Sequence, residues 1–522
     1  MTHLAIFPIL IPLFAAAIAL FFEHRRFGMA PQRTVAWLSM AAMLVCAVLL
    51  AVDAGDGSIR VYLLGDWPSR LGIVLMADRL SALMLVLASL LGSACLLHAC
   101  AGWDKRAPHF HAFFQFQLMG LNGAFLTGDV FNLFVFFEVM LIASYGLLLS
   151  GGRGERMRAG LHYVAFNVAA STLFLIALGL LYGLLGSLNM AELAVRVAEA
   201  PAQDRALIQA AGGLLLVVFC SKAALLPLYL WLPQAYTHAP AAVAALFAIM
   251  TKVGLYALLR VSSLVFGVDA GALAGFAWPW LLPLGVAGLM LAGLGVLAAD
   301  RLRLLAAYLV LGSASTLFIA FALDTVDSVS AGIYYLAHST FAGAAMFLIA
   351  DLVRRRRGAA GDRKDLIAAL PGKTVPALLF FAAAISLAGL PPLSGFFGKL
   401  LLLSAVPAGG TTFWVWLAVL LSSFMMLVGL ARAGTRLFWR VEPWPDASPA
   451  RLAAYVPADR VRAAPARPLE TGAALLLLGY GVAMVLCAAP LLDYTRATAD
   501  QLKAPGTYVE QIRAATPLLR EP

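Results

Sequence analysis

Long apolar runs, each close to twenty residues, recur along the chain and are separated by short polar segments. A hydrocarbon layer about 30 Å thick is crossed by roughly 20 helical residues, and backbone groups in lipid must be satisfied within their own segment. Each run is therefore expected to be a membrane-spanning helix. The pattern predicts fourteen spans, at about 4–22, 35–52, 72–98, 110–127, 129–149, 160–186, 207–232, 240–260, 274–298, 304–323, 329–352, 374–405, 411–435 and 471–490. The expected fold class is an all-α polytopic membrane protein. The first run has no basic region ahead of it and Arg25 and Arg26 behind it, so it reads as a retained span rather than a leader.

The loops carry an asymmetric charge. Those after odd-numbered spans hold Arg25, Arg26, Arg33, Lys105, Arg106, Arg153, Arg156, Arg158, Arg301, Arg303, the run Arg354 to Arg357, Arg363, Lys364 and Lys373, and the loop after span thirteen adds Arg436, Arg440, Arg451, Arg460, Arg462 and Arg467. Loops after even-numbered spans hold little beyond Arg60, Arg70, Arg196, Arg205 and Arg260. Basic loops stay in the cytoplasm, so both termini are expected outside. The net charge of +10 is then mostly topology, without any need to invoke nucleic-acid binding, and the Arg354 to Arg357 run reads as an anchor against anionic lipid.

Composition agrees with the pattern. The chain is 62% hydrophobic and 12% charged, against roughly 45–50% and about 25% in soluble domains. Mean hydropathy is +0.90. Cys46, Cys95, Cys100, Cys220 and Cys487 all fall in apolar runs without C-x-x-C spacing, which excludes a disulfide frame or an iron–sulfur cluster. No Gly-rich phosphate loop or flavin fingerprint is present, so no cofactor is expected. His3, His98, His109, His111 and His162 lie near span ends with no metal-like spacing.

A few charges sit deep inside spans. Lys222, Lys252 and Glu138 fall near mid-membrane, and Lys399 lies in span twelve. A lone charge at that depth costs at least roughly 2.5–3.5 kcal/mol, so such groups face a partner or a hydrated cavity. Glu138 is expected to pair with Lys222. A buried ion pair that merely locks helices would explain one lysine and one glutamate, but three deep lysines outnumber one deep glutamate. Desolvation favours a neutral amine, which brings proton exchange by such groups within reach of physiological pH. His338, about midway in span eleven, suits either a packing role or a relay. Asp78 and Arg79 read as an ordinary interfacial pair, and Asp300 and Asp351 as caps or anchors at the basic face.

Two spans are interrupted: span seven by Pro227 and Pro233, and span twelve by Gly389, Pro391, Pro392 and Gly395. Each broken span carries a deep lysine. The breaks are five spans apart, as expected if spans four to eight and nine to thirteen are structural repeats, and paired breaks in two halves point to an ion site.

The stretch from Lys222 through WLPQAYTHAPAAVAALFAIMTKVGLYALLR to Arg260 resembles the antiporter-like subunits shared by respiratory complex I, membrane-bound hydrogenases and multisubunit Mrp cation/proton antiporters. GDVFNLFVFFEVMLIASYGLL around Glu138 and LPPLSGFFGKLLLL around Lys399 are similar to the same group. The resemblance covers about residues 70–440 and implies fourteen helices with two inverted five-helix repeats, each holding a half-channel, joined by a central polar axis. Tyr229, Gln234 and Tyr236 are similar to the D branch of the Mrp antiporters, Lys399 departs from the complex I subunit of similar length, which usually has a glutamate on this helix, and the long C-terminal extension of the A subunit is missing. One departure is Ala342, where several relatives place a lysine four residues after the histidine.

The resemblance divides the chain into N-terminal helices (1–109), a first repeat (110–260), a second repeat (274–435), and a cytoplasmic loop, last helix and tail (436–522). It implies a bacterial inner (plasma) membrane protein, a transporter subunit rather than an enzyme, working with an A subunit and small subunits on monovalent cations, Na+ or K+, and protons. Glu138, Lys222, Lys252, His338 and Lys399 would form the proton relay, while the cation path need not lie in this chain. The alternatives are a proton-pumping subunit of a complex I-like or hydrogenase redox complex, and a scaffold with buried ion pairs.

Overall fold

The computed structural model describes residues 3–152, 154–439, 454–456, 461 and 467–517. Arg153, Arg440, Arg451, Arg460 and Arg462, which contribute to the expected basic face, lie outside the described residues. Among the described residues, twelve helices are long and apolar enough to cross a membrane. They include α1 (Phe7–His24), α2 (Met29–Asp53), α3 (Arg79–Cys100), α5 (Val130–Leu149), α6 (Gly154–Leu185) and α8 (Arg205–Lys222). The position expected for span four holds α4 (Phe110–Leu126), whose His, Gln and Asn residues lower its apolar content.

The short helix α7 (Met190–Ala198) was not expected from the apolar pattern. Beyond the first break come α9 (Trp231–His238), α10 (Ala241–Phe247), α11 (Met250–Leu264), α12 (Trp278–Ala298), α13 (Leu302–Ala322) and α14 (Val326–Arg356). Span twelve is two short helices, α15 (Thr374–Ala388) and α16 (Ser394–Ser404). Then follow α17 (Gly410–Gly434), α18 (Pro468–Leu486), and two tail helices, α19 (Ala488–Lys503) and α20 (Pro505–Ala514).

The enclosed centre is built from α10, α11, α13 and α14, which bury nearly every residue. The peripheral helices α1, α2, α6 and α17 instead present Phe14, Leu38, Leu161 and Phe424 outward. In lipid there is no hydrophobic drive between helices, so close approach relies on small residues. A Cβ on Gly295 of α12 would stand 2.2 Å from the Tyr308 ring of α13, and one on Gly429 of α17 would stand 2.6 Å from Val296 of α12.

Three expectations need correcting. Span three does not begin near residue 72: Val74–Ala77 is strand β2, paired antiparallel with β1 (Arg60–Leu63), and α3 starts only after Asp78. A short apolar run bounded by turn residues fits strand and helix alike, and here the cap decides, because Asp78 and Ser81 exchange hydrogen bonds in a capping box. Asp78 does not pair with Arg79, whose guanidinium reaches the carbonyls of Gly55 and Ala497; its partner is Arg260. Arg260 is accordingly no loop residue but a buried part of α11.

Candidate functional site

Each expected site residue lies on an element that the sequence shapes for it. Proline lacks an N–H and its ring clashes with the carbonyl four residues back. Pro227 therefore ends α8 near Lys222, and Trp231 from α9 donates its indole N–H to the Ser221 carbonyl across the break at 3.1 Å. Pro233 lies inside α9, where it is buried.

At the second break Pro391 and Pro392 leave the carbonyls of Leu387 and Ala388 without helical partners. The Lys399 ammonium fills that role, donating to Ala388 O at 2.9 Å and Leu387 O at 3.4 Å, and to Ser423 Oγ on α17 at 2.9 Å. A cation at the carbonyl end of a half-helix also meets its negative dipole end. Gly389 makes the arrangement possible. Its φ is +80°, and a Cβ there would stand 2.7 Å from Lys399 Cδ.

Lys222 and Glu138 meet through an intermediary. Lys222 Nζ donates to Asn167 Oδ1 at 3.2 Å and to Ser171 Oγ at 3.4 Å, while the Ser171 hydroxyl donates to Glu138 Oε1. Asn167 is held by its own bond to the Tyr163 carbonyl at 2.8 Å. The expected pairing is thus a three-residue bridge and not a direct ion contact, because both acid and base reach the same α6 hydroxyl from opposite sides.

Lys252 is fully enclosed on α11 and donates to Ser313 Oγ on α13 at 2.8 Å. Two residues on, Gly254 lets α11 lie against the end of α8, its would-be Cβ 2.8 Å from Ala223 N, which sets the Lys252 turn beside Lys222. His338 on α14 shares a hydrogen bond of 2.9 Å between Nδ1 and Ser394 Oγ, at the start of the helix that carries Lys399. A cavity of about 50 Å³ lined by His338, Ala342 and Ser386 occupies the place opened by the small side chain at 342, enough for one water. Among the described residues no carboxylate forms a salt bridge with Lys222, Lys252 or Lys399.

Two larger cavities approach this set from opposite ends. One of about 820 Å³ opens among the basic loops, with Glu155, His238 and Arg301 at its mouth and Phe166 and Trp231 in its wall, next to the Lys222 turn. The other, about 260 Å³, lies between Asp327, Ser404 and Arg496, at the far end of the Lys399 helix.

Ser171, Asn167, Ser313, Ser394 and Ser423 were not singled out from sequence. Their signal is present but faint: small polar residues inside apolar runs, which mark helix contacts as often as ion paths. His98, Asp351 and Glu470 also come together, their ligand-type atoms within 4.8 Å of one another. Arg354, Arg355 and Arg467 already pair with the two carboxylates, so this is a charge cluster joining α3, α14 and α18 at the basic face.

The family described as NADH:quinone oxidoreductase/Mrp antiporter, transmembrane, matches residues 127–426. The D subunit of the "Probable K(+)/H(+) antiporter" of Rhizobium meliloti is 41% identical, covering 98% of both chains. The D subunit of the Na(+)/H(+) antiporter of Alkalihalophilus pseudofirmus is 36% identical over 98% of this chain and 99% of its own. A chain of the Mrp complex from Dietzia sp. DQ12-45-1b superposes with a TM-score of 0.83 at 27% identity, covering 98% of this chain and 99% of that one.

Proposed function

The chain belongs to the NADH:quinone oxidoreductase/Mrp antiporter transmembrane family, on its Mrp D branch, and on that premise we propose that Glu138, Lys222, Lys252, His338 and Lys399 carry protons within a multisubunit Na+ or K+/H+ antiporter. The observation that carries this reading is the set of three enclosed ammonium groups held by hydroxyls, an amide and freed carbonyls instead of counter-ions. Neutral acceptors hold a lysine in place without fixing its charge, whereas a locked ion pair would hold its proton.

Protons reach Lys222 from the 820 Å³ cavity at the basic face, pass by Lys252, Ser313 and His338, and exchange at Lys399 with the opposite cavity. Glu138, through Ser171, tunes how tightly Lys222 keeps its proton. Residues 110–260 and 274–435 act as two repeats with a half-channel each. The chain spans a bacterial plasma membrane with its basic loops in the cytoplasm and both termini outside. It works beside an A-type subunit and small subunits, which supply the cation path.

Vesicles carrying the whole complex test the relay. Glu138→Ala and Lys222→Ala are each expected to assemble and to lose most cation-dependent proton exchange. Full exchange in both assembled variants would sink the relay. Flavin or iron–sulfur clusters in the purified complex would instead assign the chain to a redox pump.

A further inference from the structure

Apart from the relay, α11 carries a second buried charge. Arg260 Nη1 donates to Asp78 Oδ2 at 2.6 Å and Nη2 to Asp78 Oδ1 at 2.8 Å, and both side chains are almost wholly enclosed. The guanidinium lies between two rings, 5.4 Å from the Tyr256 centroid and 5.7 Å from that of Tyr508 on the tail helix α20. Arg260 Nε and the Tyr508 hydroxyl are buried without partners.

Position makes this more than a tie between α3 and α11. Lys252, Tyr256 and Arg260 are four residues apart, so they share one face of the helix, and Arg260 stands about 12 Å further along it than Lys252. The polar face of α11 thus runs from the relay toward the end covered by the tail. A guanidinium keeps its proton throughout the physiological range and so cannot pass one on. The Asp78 carboxylate is occupied by the same clamp, so the pair offers neither a free base to a proton nor a free ligand to a metal cation. Mutual stabilisation is a weak reason to keep such a pair, since apolar replacements of buried ion pairs are often neutral or better.

We propose that Arg260, clamped by Asp78 and covered by Tyr508, is a plug that closes this end of the α11 polar face to protons and cations, so that Lys252 exchanges protons only along the relay. The plug rests on the reading of Lys252 as a proton carrier, and without it the lysine would open a shunt around the antiport cycle.

The test uses the whole complex in sealed vesicles and measures the decay of an imposed pH step with no Na+ or K+ present. Asp78→Asn with Arg260→Gln removes both charges while keeping a hydrogen-bonding side chain at each position. The leak is expected to rise several-fold and to return to the wild-type level when Lys252→Ala is added. An assembled double variant as tight as wild type overturns the plug, as does a leak that persists without Lys252. If the neutral pair does not assemble, Asp78→Asn with Arg260→Lys removes the counter-ion and offers an amine that can release its proton; a raised leak supports the plug and a tight vesicle overturns it. Lys252→Ala alone separates the two readings. Unimpaired cation-driven exchange in that variant defeats the relay, whereas lost exchange together with a tight double variant defeats only the plug.

Discussion

Lys399 owes its setting to three neighbouring choices: two prolines that free the Leu387 and Ala388 carbonyls, and one glycine that leaves room for the ammonium stem. Gly389→Ala places a methyl 2.7 Å from Lys399 Cδ at a φ of +80°, which is costly for any L side chain. The expected result is an assembled complex whose exchange rate drops severalfold, read in vesicles beside wild type. Asp129 offers a second residue-scale test. It caps α5 through a bond from Asn132 N at 2.8 Å, and burial pushes its carboxyl from 3.8 up to about 6. A raised carboxyl favours the fold fully below its unfolded value, and that contribution is lost as pH rises through about 6. Asparagine caps equally well without this loss. Asp129→Asn should therefore stabilise the protein at pH 7.5, by about 1–2 kcal/mol, and much less at pH 4. Thermal melts at the two pH values check it, and equal effects at both would contradict the assignment. Of these residues, the lysines and the glutamate were legible because charge is rare in apolar runs. Ser171, Ser313 and Ser423 were not, since a serine in a span costs little and says little until its neighbour is known.

Among elements, the helix breaks were legible and the strand and tail were not. Pro227 marks the end of α8 and the Pro391–Pro392 pair the gap between α15 and α16, whereas Pro233, also expected to interrupt span seven, lies within α9. The hairpin β1–β2 was hidden because its second strand continues directly into an apolar helix, so one hydrophobic run spans two elements. The sequence shows the segment holding α19 and α20 only as a tail after the last span, yet these helices are tied to the rest. Tyr494 donates to Arg79 O at 3.0 Å, Ser330 and Thr495 share a bond of 3.0 Å, and Arg513 pairs with Glu192 at 3.1 Å. The buried contacts of Tyr508 and Ile512 add apolar burial to this attachment. Removing residues from 488 onward is expected to lower the melting temperature of the complex by several degrees and to reduce its yield. An unchanged melt would mean the tail rests on the bundle without supporting it.

For the whole molecule, the hydrophobic pattern and the asymmetry of basic residues were enough to anticipate a helical membrane bundle with a polar interior. They could not show that Lys252, Arg260 and His338 lie on two of the most enclosed helices, α11 and α14, because enclosure depends on which helices surround which. That placement bears on the proposed relay: cavities approach from both ends, and Lys252 and His338 between them are enclosed by protein. Lys252→Arg separates proton transfer from charge most directly, because arginine keeps the positive charge and the Ser313 bond donor but does not release its proton. In vesicles containing the assembled complex, the initial rate of Na+- or K+-driven proton movement is predicted to fall to background. A rate equal to wild type would show that Lys252 serves as a fixed charge, and would contradict a proton relay through the centre of this protein.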